Sequence, residues 1–256
     1  YANAVLGART NREGGPSALA ASLTGRTPAY GYHLDQNRRP TLHVQVQADV
    51  HSNPDFGALG KVIGDHLESQ SGGRVPMISG IEGATLENLK SFCASIATYG
   101  GVALFHMLGI TPEASAYQPP EQTLVVSQAD LEEAKQQLTN ASAEEVDFVS
   151  LGCPHLSIRE VQRIAQLLEG KRVTKEFWIT TSRPVKGMAD RMGYTEIIEA
   201  AGAKFATDTC CVVAPIKGRF HALATDSAKA CYYAYGKNNF KTRLLPFDQV
   251  VQEAIQ

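Results

Sequence analysis

The run from Val146 to Ala206 constrains the fold more than any other part of the chain. A short apolar stretch, Val146–Leu151, is broken by Gly152-Cys153-Pro154-His155. A helix is predicted from Ser157, where Glu160 three residues on completes a capping box, to a stop at Gly170. Glu176–Thr180 reads as the next strand and Ser182-Arg183-Pro184 as the turn after it. Helices follow over Pro184 to Met192 and Tyr194–Ala201, and a third strand, Lys204–Ala206, breaks at Asp208-Thr209-Cys210. Strand, helix, strand, helix, strand at this spacing requires a parallel sheet with helical crossovers, because parallel neighbours need a long return connection.

The upstream half carries similar signals. Thr41–Val50 alternates, with Leu42, Val44, Val46 and Ala48 on one face and His43, Gln45, Gln47 and Asp49 on the other, as a strand with one buried face does. Helices are predicted over Ser17–Thr24, Phe56–Ser69 (capped by Asp55), Thr85–Tyr99 (stopped by Gly100-Gly101), Ser127–Leu138 and Ala228–Tyr235. Val102–His106 reads as a short strand and Pro112–Gln122 as a polar connection. The expected division is residues 1–125, a glycine- and arginine-rich loop with a first α/β segment, and residues 126–256, a second α/β segment.

A chain of 256 residues, 43% of them hydrophobic, can bury a real core. Its formal net charge of -2 excludes nucleic acid and anionic membrane surfaces as expected partners. The longest apolar runs, such as Gly101–Leu104 and Cys210–Ala214, fall far short of the ~20 residues of a membrane span. The chain lacks an initiating Met and opens at Tyr1 inside a segment that reads as ordered, the pattern expected of a fragment. Five widely spaced cysteines, an odd number, fit free thiols or metal ligands in a reducing compartment, so the protein is expected in the cytoplasm.

In an open parallel sheet, ligands bind beyond the carboxyl ends of the strands. Cys153, Ser182 with Arg183, and Cys210 each follow a predicted strand of the same sheet, so all should open on one edge. Two cysteines leaving adjacent or next-but-one strands can reach one metal centre, although a cysteine near a strand end is also often a small buried hydrophobe. Cys93 and Cys231 lie inside helical runs and are assigned to the core. Cys210 and Cys211 are neighbours in extended chain and must point oppositely, so one of them packs. His155, beside Cys153, is a better site candidate than His106. Iron–sulfur centres take three or four protein ligands, so Cys153 and Cys210 alone are an incomplete set.

A second candidate is Gly7-Ala8-Arg9-Thr10-Asn11-Arg12-Glu13-Gly14-Gly15-Pro16. Two guanidinium forks around Thr-Asn suit carboxylate or phosphate oxygens, and the following helix N-terminus favours an anion. A solvated turn accounts for the same composition. His33-Leu34-Asp35-Gln36-Asn37-Arg38 reads as a solvated polar loop. There is no HExxH, zinc-type CxxC or Ser-His-Asp constellation.

Six stretches, in order, resemble the aconitase X large subunit family. They are Ala2–Gly15, Gly31–Arg38, Gly152-Cys153-Pro154-His155, Thr181-Ser182-Arg183, Asp208-Thr209-Cys210 and Pro215-Ile216-Lys217-Gly218. Asn3 is followed here by Ala4, where the family more often has Ser. The resemblance implies an aconitase-like, three-layer α/β architecture and an iron–sulfur cluster on three cysteines. Two of these map to Cys153 and Cys210, and the third belongs to an upstream motif that this chain does not contain. It further implies a hydro-lyase in which Arg9, Thr10, Asn11, Arg12, Ser182 and Arg183 bind the substrate. The catalytic base would be a serine of a small subunit or fused small domain. Family substrates are (R)-5-phosphomevalonate and cis-3-hydroxy-L-proline, and the Asn11–Ser17 stretch looks more like the phosphomevalonate branch. The reading from another class is a non-catalytic subunit that binds a metabolite without a cluster.

Overall fold

The computed structural model describes residues 1–70 and 72–255. Alternation produces the first strand: in β1 (Leu42–Val46) Leu42, Val44 and Val46 are buried while His43 and Gln45 are half-exposed. It lies between β2 and β4 in a four-stranded parallel sheet of order β3-β2-β1-β4, with β2 at Pro76–Ser79, β3 at His106–Met107 and β4 at Thr123–Val126. The predicted strand at Val102–His106 is thus only a two-residue pairing at its far end.

The helices of this half are α1 (Gly15–Thr24), α2 (Asn53–Glu68), α3 (Leu86–Gly100) and α4 (Gln128–Gln137). Ser52, not Asp55, caps α2: its hydroxyl accepts from the Asp55 N–H, and the Asp55 carboxylate accepts from the Ser52 N–H in return. Both residues are needed because each satisfies an N–H the other leaves open. α2 and α3 lie almost backbone to backbone. A Cβ on Gly64 would stand 2.8 Å from the Gly100 nitrogen and the Tyr99 Cβ, so no larger residue fits this crossing.

The second sheet is also all parallel, with order β7-β6-β5-β8-β9: β5 at Phe148–Leu151, β6 at Glu176–Thr181, β7 at Lys204–Thr207, β8 at Ala222–Thr225 and β9 at Lys241–Leu244. Helices α5 (Ile158–Leu168), α6 (Arg183–Arg191), α7 (Tyr194–Ala200) and α9 (Phe247–Ile255) belong to this half. Val161, Ile164 and Leu168 of α5, Ile198 of α7 and Val250, Val251 and Ala254 of α9 join Val149, Leu151, Phe177 and Ile179 in one buried cluster. The opposite face is covered by α8 (Ala228–Tyr233) and the 210–220 segment, around Phe148, Cys211, Ile216 and Phe240. The expected parallel sheets with helical crossovers are therefore present. Helix α8 also meets α3, where the Tyr99 hydroxyl donates to the Ala228 carbonyl at 3.1 Å, and so joins the two halves.

In the His33–Arg38 loop, expected to be solvated, Asp35, Gln36 and Asn37 are exposed, but Arg38 is not. Arg38 is fully buried. Its Nε and Nη2 grip the Glu113 carboxylate at 2.8 Å each, and its Nη1 donates to Asn3 Oδ1 at 2.7 Å and the Tyr32 carbonyl at 2.9 Å. A guanidinium can be buried only when its donors are matched in this way. Here it anchors residues 3–8 to the first sheet. His106, also buried, donates from Nε2 to the Arg38 carbonyl at 2.7 Å, and burial lowers its pKa.

Candidate active site

The carboxyl ends of β5, β6 and β7 lie side by side, and each delivers one predicted residue set. Gly152 leaves β5 at φ +110, a conformation that L side chains rarely adopt. A Cβ there would stand 2.1 Å from the Thr180 carbonyl oxygen, so the chain can cross the end of β6 only with glycine at this position. Thr180 Oγ1 then donates to the Gly152 carbonyl at 2.8 Å, and Thr181 Oγ1 to the Leu156 carbonyl at 2.7 Å. These bonds fold the 152–156 turn over β6 and bury Cys153.

On the other side Asp208, in the left-handed region at φ 56, ends β7, and its N–H donates to the Thr181 carbonyl at 2.9 Å. Cys210 and Cys153 come close enough for their side chains to interact. That contact lowers the Cys210 pKa, helped by the Val212 and Val213 backbone N–H groups and the Lys229 charge. The same contact, followed by burial, raises Cys153. The pair can hold one negative charge on Cys210 with Cys153 as donor. Cys211 turns the other way into the core, where burial pushes its thiol up to about 11. Cys231 is buried, Cys93 is half-buried, and all five thiols are free.

Ser182 caps α6, accepting from the Val185 N–H at 3.4 Å. Arg183 is largely exposed, and its Nε pairs with Asp208 Oδ2 at 2.7 Å. Both residues stand at the end of the strand between the two cysteine loops.

The Arg9–Arg12 segment lies on the first half of the molecule, and none of its described hydrogen bonds reaches the cysteine loops. Arg9 donates to the His33 carbonyl at 2.9 Å and pairs with Asp35. Thr10 and Asn11 are engaged in shaping the loop. The Thr10 hydroxyl donates to Glu13, and the Asn11 side chain accepts from the Tyr32 N–H at 2.6 Å. The Thr10 hydroxyl, with His33 and the Asn11 N–H, holds the Glu13 carboxyl down to about 2. Arg12, at φ 64, leans over a hollow shared with Thr10, Glu13, Cys93 and Phe105.

Sequence reasoning missed a buried polar group behind Cys153. A small cavity between the two halves is lined by Cys153, Asn53, Lys90, Glu160 and Asp226. Burial pushes Glu160 up to about 7, and burial also raises Asp226, which accepts from Asn53 Nδ2 at 2.9 Å. Asp226 directly follows β8, so the same strand-end rule finds it once β8 is recognised. Lys90, mid-helix in α3, carries no such signal.

Two cysteines facing each other over the carboxyl ends of a parallel sheet, beside a serine-capped helix and an arginine, define a class: an α/β protein with a thiol pair at the edge where such sheets bind ligands. Family models of the aconitase X first, second and third domains match residues 1–36, 40–136 and 146–256. The chain belongs to the aconitase X family. It is 44% identical, over 92% of its length, to the phosphomevalonate dehydratase large subunit of Methanothermobacter thermautotrophicus. It is 34% identical, over 100% of its length, to a cis-3-hydroxy-L-proline dehydratase of Pseudomonas aeruginosa. It spans 58% of the first of these relatives and 46% of the second. The crystal structure of Thermococcus kodakaraensis aconitase X in its holo-form superposes with a TM-score of 0.90 at 40% identity, covering 99% of this chain and 65% of that one. Among the described residues no helix is long and apolar enough to cross a membrane.

Proposed function

We propose that this chain is the larger part of an iron–sulfur-dependent hydro-lyase that dehydrates (R)-5-phosphomevalonate to trans-anhydromevalonate 5-phosphate together with a small subunit. The observation that carries this reading is the meeting of Cys153 and Cys210 at the carboxyl edge of the second sheet. The donor set fits the group: two soft sulfurs, one already favoured as thiolate by backbone N–H groups and Lys229. Among the described residues no group of three or more His, Cys, Asp or Glu is placed to hold a metal, and this reading takes the third ligand from another part of the protein. When bound, the cluster supplies Lewis-acid chemistry toward the substrate's hydroxyl.

This chain's own residues bind and orient. Arg183 and the Ser182-capped N-terminus of α6 offer charge and N–H groups beside the cysteine pair. Arg9 and Arg12 present guanidinium groups to the substrate's phosphate or carboxylate, with Thr10 and Asn11 setting the loop that carries them. The base that takes the proton from the carbon next to the departing hydroxyl comes from the small subunit or a fused small domain. The same reading puts the protein in the cytoplasm, and its five free thiols support a reducing compartment.

The test is to purify the intact two-subunit protein without oxygen and offer it both family substrates. Loss of water from (R)-5-phosphomevalonate alone is the expected result. Dehydration of cis-3-hydroxy-L-proline alone reverses the substrate. An iron-free complex that binds a phosphorylated metabolite without turnover makes it a binding subunit instead.

A further inference from the structure

We propose that His155 is a positioning residue that braces the two cysteine loops, holding Cys153 and Cys210 at the separation a shared metal centre needs. The inference rests on reading those cysteines as ligands. Cys153 leaves β5 and Cys210 leaves β7, with β6 between them. Strands two places apart are separated by about 10 Å, so each loop must lean inward over the end of β6. Each is tied to β6 separately, the first by Thr180 and Thr181 and the second by the Asp208 N–H on the Thr181 carbonyl. Among the described residues one hydrogen bond besides the thiol contact joins loop to loop: His155 Nε2 with the Thr209 carbonyl, at 2.9 Å.

A carbonyl oxygen only accepts, so Nε2 carries the proton. His155 is two residues after one cysteine and Thr209 immediately precedes the other, so the bond joins the two loops close to both cysteines in the chain. The brace is itself pinned. Lys90 reaches across from α3 and donates to the His155 carbonyl at 2.5 Å, with its charge 3.7 Å from Glu160. Without the brace, the cysteine loops are linked only through their separate ties to β6, their packing and the thiol contact. Residues that orient ligands in this way typically change metal affinity 10–100-fold when removed.

The test uses the complete protein with its small subunit, purified without oxygen, as the parent and as His155→Ala, His155→Phe and His155→Gln. Gln retains an N–H donor at the same reach. Iron loss to a ferrous chelator should be about tenfold faster in H155A and H155F, with an altered visible spectrum, and within about threefold of the parent in H155Q. Far-UV circular dichroism should be the same in all four. In a second arm, metal-free protein is treated with phenylarsine oxide, whose arsenic bonds the sulfurs of two thiols while its oxygen leaves with their two protons as water. Cys153 and Cys210 should be captured as one ring in the parent and H155Q, and several-fold more slowly in H155A and H155F. Parent-like iron retention in H155A and H155F, or equal arsenical capture in all four, overturns the brace. If the parent itself takes up no iron, the cluster reading fails, and the arsenical arm alone decides the brace.

Discussion

Replacing Gly152 by alanine should damage the molecule more than its single added methyl group suggests. The new Cβ would stand 2.1 Å from the Thr180 carbonyl oxygen and 2.5 Å from Thr180 Oγ1. Close carbon–oxygen contacts run about 3.3 Å, so β5 and β6 must part by about an ångström at the point where Cys153 leaves the sheet. The φ of +110 adds backbone strain of roughly 1–3 kcal/mol. Overpacking adds about 1–3 kcal/mol. The Thr180 hydroxyl bonds to the Leu151 and Gly152 carbonyls, at 3.2 and 2.8 Å, are lost in the process. With about 1 kcal/mol for that bonding, the sum is roughly 3–7 kcal/mol, which for a chain of this size lowers Tm by on the order of 10 °C. Thermal unfolding followed by circular dichroism reads this directly. Gly83→Ala, where a Cβ meets nothing within 4 Å, is the control and should melt with the parent. A G152A protein melting within about 2 °C of the parent would refute the reasoning.

Glu160 has a folded pKa of about 7, above its ordinary 4.5, because it is buried. The folded state then holds a proton that the unfolded chain has released, so stability falls as pH rises from 4.5 to about 7 and levels off beyond. Glu160→Gln should therefore match the parent near pH 4 and exceed it by up to about 3 kcal/mol at pH 8 in urea titrations; a constant difference across pH contradicts this. Arg38→Met strands the Glu113 carboxylate and should cost about 3–5 kcal/mol, with earlier proteolysis within residues 1–14, and Glu113→Gln added to it should recover part of the loss. Arg12→Ala should raise KM for the phosphorylated substrate by roughly 10–100-fold, the worth of a charge-assisted hydrogen bond, while an unchanged KM removes Arg12 from the substrate site.

The edge of the second sheet was legible because its signals are local. The Ser157–Glu160 capping box marks the start of α5 to the residue, and the turn residues after β5, β6 and β7 mark three strand ends. Those marks were enough to put Cys153, Ser182 and Cys210 on one edge. Strand order is a tertiary property: that β6 separates the cysteine strands, and that β8 lies on the far side of β5, has no local trace. β8 itself reads Ala-Leu-Ala-Thr and is buried on both faces, so it shows no alternation, and Asp226 went unnoticed with it. Arg38 was misread for a different reason. Its burial depends on Glu113 and Asn3, 75 and 35 residues away, and composition cannot express such pairing.

The measurement that bears most directly on the cysteine pair is the iron and acid-labile sulfide content of the complete complex, purified without oxygen, as the parent and as C153S, C210S and C231S. A brown parent and C231S protein, with C153S and C210S both colourless and depleted of iron and sulfide, is the predicted result. Full iron and sulfide in C153S and C210S would contradict it.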